Sequence, residues 1–503
     1  MTDYRRAAVL ELGERLSEPP STHLVDFAFG AELAAQRGLA EMVGWVDLAH
    51  TLCLIEAAVI PRDAGRQLIG ALMELQHAAD FEPRPEFGDL YTNREAWLGQ
   101  KTPAVGWLGV ARARREALTT AYHLTLCDAL CALCDALTTA IDALSAVSDR
   151  YKNSVMPDYT YLQAAQPTTF GHYLQSFAWP MLRDVERALA LHARADQCPA
   201  GIGSSNGSIL PQDRWRLAKR LGFAAPVRHA RDAMWMQDLA IEACAVACAA
   251  SINLSRLAED LIFFASAEFG FVRLADRHCR ASKIMPQKRN PFALAFVRAT
   301  ANRLIGVQAG VSATGRTPSG QMDNRLYVYD AAPESLTASA NAALLVADCL
   351  EGLAFVPARA AQALADRSVC ASDLTERLTG ETGLDYRRAH GVVGSLVTQL
   401  EEEGRSLADV APEELVAVLR LAGVDLDDAQ SDAILTIALD PVRGVTARTG
   451  LGCAASEEVG AMADELATAA RKRREEVSNM RGRRKAAIDS LLAEARVVAE
   501  TPT

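Results

Sequence analysis

The apolar positions of this chain repeat at helical spacing over most of its length. Ile252-Asn253-Leu254-Ser255-Arg256-Leu257-Ala258-Glu259-Asp260-Leu261-Ile262 sets its apolar residues three and four apart, and Phe292 to Val307 does the same. A longer pattern runs from Glu116 to Tyr151 with a stripe of Cys, Leu and Ala, as a core-facing helix requires. It is expected to end near Met156-Pro157. Another amphipathic helix is expected from Asp47 onward, and the stretch from Glu82 to Asp89, with two prolines and a glycine, reads as a break. The patterns fall into three regions: 1–110, helices broken by loops; 111–360, long helices; and 361–503, a smaller helical unit. The expected fold class is all-α.

Composition supports that class. Half of the 503 residues are hydrophobic and 6% are aromatic, and no GxGxxG opens a strand–helix unit. The formal net charge of −11 argues against nucleic acid as the main partner, and an anionic substrate would need a locally basic pocket. No uncharged apolar run reaches the ~18 residues that span a membrane, so no membrane association is expected. Met1 to Leu16 is charged throughout and does not read as a secretory leader. The eleven cysteines are scattered singly, which suits a reducing cytoplasm. Cys131 and Cys134 form a CxxC, but one inside a helical run with no second pair, so core packing is the expectation for them.

The chemistry concentrates between two helical patterns, in Ala281-Ser282-Lys283-Ile284-Met285-Pro286-Gln287-Lys288-Arg289-Asn290-Pro291. Two prolines punctuate it, and Pro291 is placed to open the next helix. A loop with a hydroxyl, cations and an amide suits an anionic substrate; the plain alternative is a solvated basic connection. Gly201-Ile-Gly-Ser-Ser-Asn-Gly-Ser208 could cradle phosphate on its own, but no P-loop lysine pattern accompanies it, so it reads as structural or substrate-lining.

The 281–291 loop resembles the Gly-Ser-Ser-x-Met-Pro-x-Lys-x-Asn loop of the fumarase/aspartase superfamily, and its Gln287 and Pro291 resemble the argininosuccinate lyase-like branch. Tyr159-Thr160-Tyr161-Leu162-Gln163-Ala164-Ala165-Gln166-Pro167 is similar to the family's Tyr-Thr-His-Leu-Gln-x-Ala-Gln-Pro. The segment from Asp89 to Glu116 resembles the run from an acidic-x-His-Thr motif to Gly-Arg-Ser-Arg-Asn-Asp. Ala371-Ser-Asp373, His390, Asp440-Pro441 and Arg448 match the family's C-terminal region in order. The similarity covers residues 20 to 470.

This resemblance implies a three-domain fumarase/aspartase-like fold with a long central helical bundle and a catalytic loop near 279–291. It implies Ser282 as the catalytic base, with Lys288, Asn290 and the 283–285 backbone steadying an aci-carboxylate. Arg114, Arg115, Thr160, Gln163 and Tyr91 are the implied substrate contacts, Arg114 through its planar fork. For the arginines the alternative is a salt-bridged helix face. Also implied are a small dicarboxylate substrate, release of fumarate, and a homotetramer whose active sites are shared between subunits. No metal or organic cofactor is implied.

Several positions depart from the family. Ala281 and Lys283 replace Gly and the second Ser; Tyr91 replaces a substrate-contacting His; Ala113 and Arg115 replace Ser and Asn. Tyr161 replaces the His used for proton chemistry, and Ala295 the acid that orients it. Three explanations stay open. Tyr161 is itself the donor, since a phenol is protonated at neutral pH; the leaving group needs no acid; or the chain is not a catalyst. The expected activity is a specialised carbon–nitrogen lyase. Nitrosuccinate-type elimination, polycarboxylate isomerisation and a structural role are the rivals. Asp323-Asn324-Arg325-Leu326 only loosely resembles the family's Tyr-Asn-x-Asp-Leu substrate segment.

Overall fold

A computed structural model describes residues 16–317, 320 and 325–501; the expectations for the first fifteen residues and for Asp323 and Asn324 lie outside it. The chain is all-α, as its periodicity predicts. In order, the principal helices and strands are α1 (Ala40–Glu56), α2 (Arg62–Gln76), α3 (Leu90–Lys101), α4 (Arg114–Arg150), β1 (Val155–Thr160), β2 (Gln163–Thr169), α5 (Phe170–Ala195), α6 (Asp238–Phe264), β3 (Arg280–Ala281), β4 (Arg289–Asn290), α7 (Phe292–Thr314), α8 (Ala331–Glu351), α9 (Ala371–Thr382), α10 (Tyr386–Glu402), α11 (Pro412–Leu421), α12 (Asp428–Ala438) and α13 (Ser456–Glu500). Short helical turns and two-residue strand pieces join them.

The frame is a bundle of long helices. α4 packs on α5, α8 and α13, while α6 packs on α5, α7 and α8. One apolar cluster runs through all of these, from Leu118, Leu130 and Ile141 on α4 to Leu254 and Leu261 on α6, Leu294 on α7 and Leu336 on α8. Cys131 and Cys134 lie buried in this cluster as free thiols. Burial pushes the Cys131 thiol up to about 11, so it behaves as an apolar side chain.

A second cluster joins α1, α2 and α3 to the start of α4, and a third is built from α9 to α12. The last helix leaves the third cluster. Leu466, Ala470 and Val477 of α13 enter the central one, and Ile488, Leu491 and Ala495 enter the second. The charged face that makes this helix look solvated is paired across the groove: Arg474 meets Asp142 at 2.6 Å and Arg484 meets Asp128 at 3.0 Å, both on α4.

Three helical stretches, Leu24–Glu56, Arg114–Arg150 and Asp238–Phe264, are long and apolar enough to cross a membrane. In the first two, 67% of the most apolar window is buried against the rest of the chain; in the third only 50% is. Ile252 and Phe263 are exposed on α6, as Leu24 and Phe27 are in the first stretch.

Candidate active site

The loop after α6 is a short hairpin. Arg280 pairs with Asn290 and Ala281 with Arg289, antiparallel, and Asn290 Nδ2 donates to Arg280 O at 2.9 Å across the stem. Arg289 ties the stem to the body through Leu274 O at 3.0 Å and an ion pair with Asp276. Within the tip, Ser282 Oγ accepts the Met285 N–H at 3.1 Å and the Ile284 N–H at 3.4 Å. Those N–H dipoles favour negative charge on the serine oxygen. Lys283 and Lys288 are exposed beside it, and Ile284 is 85% exposed. The loop holds its hydroxyl, cations and amide together and is largely exposed among the described residues.

The expected proton donor stands on a different element. β1 and β2 form a hairpin closed by Tyr161 and Leu162 alone. Both have positive φ, 54° and 59°, the geometry of a type I′ turn, which ordinarily takes Asn-Gly. Tyr161 is 99% exposed at this tip, with Thr160 and Gln163 paired behind it. A two-residue tip that spends backbone strain to project an aromatic ring is a feature of functional sites.

Arg114 opens α4. Its Nη1 donates to Thr92 Oγ1 at 3.2 Å and its Nε lies 3.4 Å from Asp89. Arg115, the next residue, is partly buried, and burial lowers its pKa. Tyr91 lies in the core. It is 4% exposed in the second apolar cluster, its hydroxyl accepts from Arg112 at 3.4 Å, and the guanidinium lies 5.4 Å over its ring. Burial pushes its phenol up to about 12 despite Arg112. A phenol set into the core in this way packs under the arginine and bonds to it.

Arg112 explains that arrangement. Asp47 is fully buried and holds Arg112 at 2.5 Å and Arg94 at 2.9 Å. Glu116 adds a second tie, accepting the Gly201 N–H on Oε1 at 2.7 Å, while the Ala113 N–H donates to Gly203 O at 2.7 Å. The Gly201–Ser208 loop is thereby fixed to the start of α4, next to Arg114. Sequence reasoning passed over Asp47, Arg94 and Glu116; the closing acidic position of the Gly-Arg-Ser-Arg-Asn-Asp resemblance was the signal for Glu116.

The expected residues therefore form three groups: Arg114 and Arg115 at the head of α4, Thr160, Tyr161 and Gln163 on the hairpin, and Ser282, Lys288 and Asn290 on the loop. Among the described residues no hydrogen bond or ion pair joins one group to another. Ala295 is exposed on the first turn of α7, flanked by exposed Phe292 and Phe296.

A long-helix bundle with a serine loop of this form defines the fumarase/aspartase class. The lyase family matches residues 89–306 and the argininosuccinate lyase C-terminal family residues 368–443. The argininosuccinate lyase of Halorhodospira halophila is 32% identical over 461 residues, 89% of this chain and 95% of that protein. The Thermus thermophilus argininosuccinate lyase is 33% identical over 414 residues, 80% and 88% of the two chains. In fold, an EDDS lyase solved with formate matches with a TM-score of 0.85 at 23% identity over 96% of this chain and 97% of that one. The β-carboxy-cis,cis-muconate cycloisomerase of Acinetobacter calcoaceticus matches at 0.65 and 20% identity, over 81% and 95%. The chain belongs to the argininosuccinate lyase-like branch of the fumarase/aspartase superfamily, and it is a carbon–nitrogen lyase.

Proposed function

We propose that this lyase removes an N-substituent from an aspartate or similar succinyl compound, releases fumarate, and serves a specialised route rather than arginine synthesis. The observation that carries the reading is the pairing of an intact serine loop with a changed acid half. Ser282 keeps the two N–H contacts that favour its anion. The proton donor is a phenol at the hairpin tip, and Ala295 offers no carboxylate to orient a histidine.

In this mechanism Ser282 takes the proton next to a substrate carboxylate. Lys288 and the loop N–H groups hold the charge that builds there, more strongly than in the ground state. Tyr161 delivers a proton to the departing nitrogen. Arg114, positioned by Asp89 and Thr92, binds a substrate carboxylate. The three groups stand on separate elements, and in this reading the working site is assembled from copies of the chain, a homotetramer in the cytoplasm. The EDDS lyase likeness is one of fold alone, but it places a lyase with a name other than argininosuccinate lyase on this framework.

The test is absorbance in the fumarate band with a panel of aspartate derivatives, argininosuccinate and adenylosuccinate included. Fumarate from N-alkyl or N-acyl aspartates with little from argininosuccinate is the expected result. Turnover of argininosuccinate at ordinary enzyme rates refutes the specialised reading.

A further inference from the structure

Arg325 lies within the stretch Asp323-Asn324-Arg325-Leu326, which only loosely resembles the family's substrate motif, and it is 3% exposed. Its Nη1 donates to Thr119 Oγ1 on α4 at 2.8 Å, and its guanidinium carbon is 5.9 Å from the centre of the Trp235 ring. Its Nε and Nη2 are buried without a hydrogen-bond partner. Among the described residues no carboxylate forms an ion pair with it. A buried guanidinium with no counter-charge is costly, and native chains rarely keep one without a reason.

The same corner holds more donors without an acceptor. The rings of Tyr122 and Tyr329 meet edge to face at 5.6 Å. Both hydroxyls are buried without a partner, and so is the indole Nε1 of Trp235. The Tyr122 hydroxyl lies within electrostatic reach of Arg325 and of Tyr329. His123, which also feels Arg325, is held neutral by burial, its pKa lowered to about 4, and adds no second charge. One positive charge and three neutral N–H or O–H groups thus stand in one buried corner, unanswered among the described residues. A ligand that only accepts hydrogen bonds and carries negative charge fits them, and a planar carboxylate suits the guanidinium fork.

The corner adjoins the catalytic face. Thr119 is one helical turn beyond Arg115 on α4, and Tyr329 is the strongest electrostatic neighbour of Arg115. A cleft of about 570 Å³ shares Trp235 with the corner, and Arg231, Asp232 and Asp238 also line it. We propose that Arg325, with Tyr122, Tyr329 and Trp235, binds a carboxylate, and that during turnover this carboxylate belongs to the departing amine. The second half rests on the lyase reading above; the first half does not.

The experiment follows the thermal midpoint of the full chain against sodium propionate, with sodium chloride at equal ionic strength and propionamide as the neutral isostere. Propionate should raise the midpoint with concentration, as a ligand of the folded state does, and the two controls should not. The Tyr122→Phe/Tyr329→Phe double variant keeps both rings and should weaken propionate by about tenfold or more, since hydrogen bonds to a charged acceptor are among the stronger ones. Arg325→Met should abolish the effect; should it fail to fold, the Phe variant still decides. Equal shifts from propionate and propionamide overturn the receptor, and so does undiminished propionate affinity in the double variant. With any substrate that yields fumarate, the double variant should lose the preference for a carboxylate-bearing N-substituent over its carboxamide; an unchanged preference overturns the second half. Propionate binding through these groups in a chain that releases fumarate from nothing would remove the lyase reading and leave the receptor standing.

Discussion

At the residue scale two tyrosines that replace family histidines have opposite fates. Tyr91 is sealed in the core under Arg112, whereas Tyr161 is in solvent at a strained tip. Tyr161→Phe removes one hydroxyl from a side chain that packs on nothing in its own chain. It should therefore leave the thermal midpoint unchanged and lower kcat by about 10²–10⁴-fold, the range of a lost general acid. Steady-state kinetics beside a melting curve checks both halves, and an unchanged kcat would assign the proton elsewhere or show that the leaving group needs none. Glu116 makes a pH prediction. Burial raises its carboxyl to about 7 from an ordinary 4.5, against the opposing Gly201 N–H and Arg112. At pH below 4.5 both folded and unfolded forms carry the proton. Between 4.5 and about 7 the unfolded chain has lost it and the folded chain keeps it, so stability falls as pH rises, by up to about 1.4 kcal/mol per pH unit of the gap. Above 7 the loss is complete and constant. Denaturant unfolding of Glu116→Gln should show this slope gone; an identical pH dependence in the variant would place the titration on another group.

At the scale of elements, the β1–β2 tip offers a direct trade between stability and function. Tyr161 and Leu162 both occupy left-handed backbone, which costs L-residues on the order of 1 kcal/mol each. Replacing the pair with Asn-Gly supplies residues suited to that turn. The exchange should raise the thermal midpoint while eliminating turnover, and a variant that melts higher and still works would remove the tip from the site. This hairpin also shows what the sequence could and could not disclose. Periodicity located α4, α6 and α7 because each buries a continuous apolar stripe, and Pro291 marked where the serine loop gives way to α7. Nothing in Tyr159 to Pro167 signalled the reversal at 161–162, because neither residue is one that turns prefer. The Asp47 network was hidden for a different reason: its members are separated by 47 and 65 positions, and only tertiary packing brings them together. The Arg325 corner is equally silent, drawing on α4, the turn at Trp235 and the stretch before α8. α13 carries a charge-rich face, and Arg474, Arg481 and Arg484 on it pair with acids of α4.

At the scale of the whole molecule, the three groups of site residues lie on separate elements, the head of α4, the β1–β2 hairpin and the serine loop, while exposed apolar side chains lie close to two of them. Ile284 and Met285 sit on the serine loop, Phe292 and Phe296 at the head of α7, and Leu162 beside Tyr161. A water-exposed set of that kind is the mark of a surface completed by association. If Tyr161 and Ser282 of one working site come from different copies, their defects are separable. Tyr161→Phe and Ser282→Ala should each be inactive as pure preparations. Mixed, dissociated and reassembled in equal amounts, they should regain about a quarter of wild-type activity, because random assembly gives a site both intact contributions with that frequency. Activity of the reassembled mixture against each parent taken through the same cycle is the measurement. Recovery near that fraction means the proton is taken by one copy and returned by another. A mixture as inactive as its parents means that both residues of each site come from one chain. The hairpin and the loop would then have to approach each other within that chain, and the assembly would contribute stability rather than chemistry.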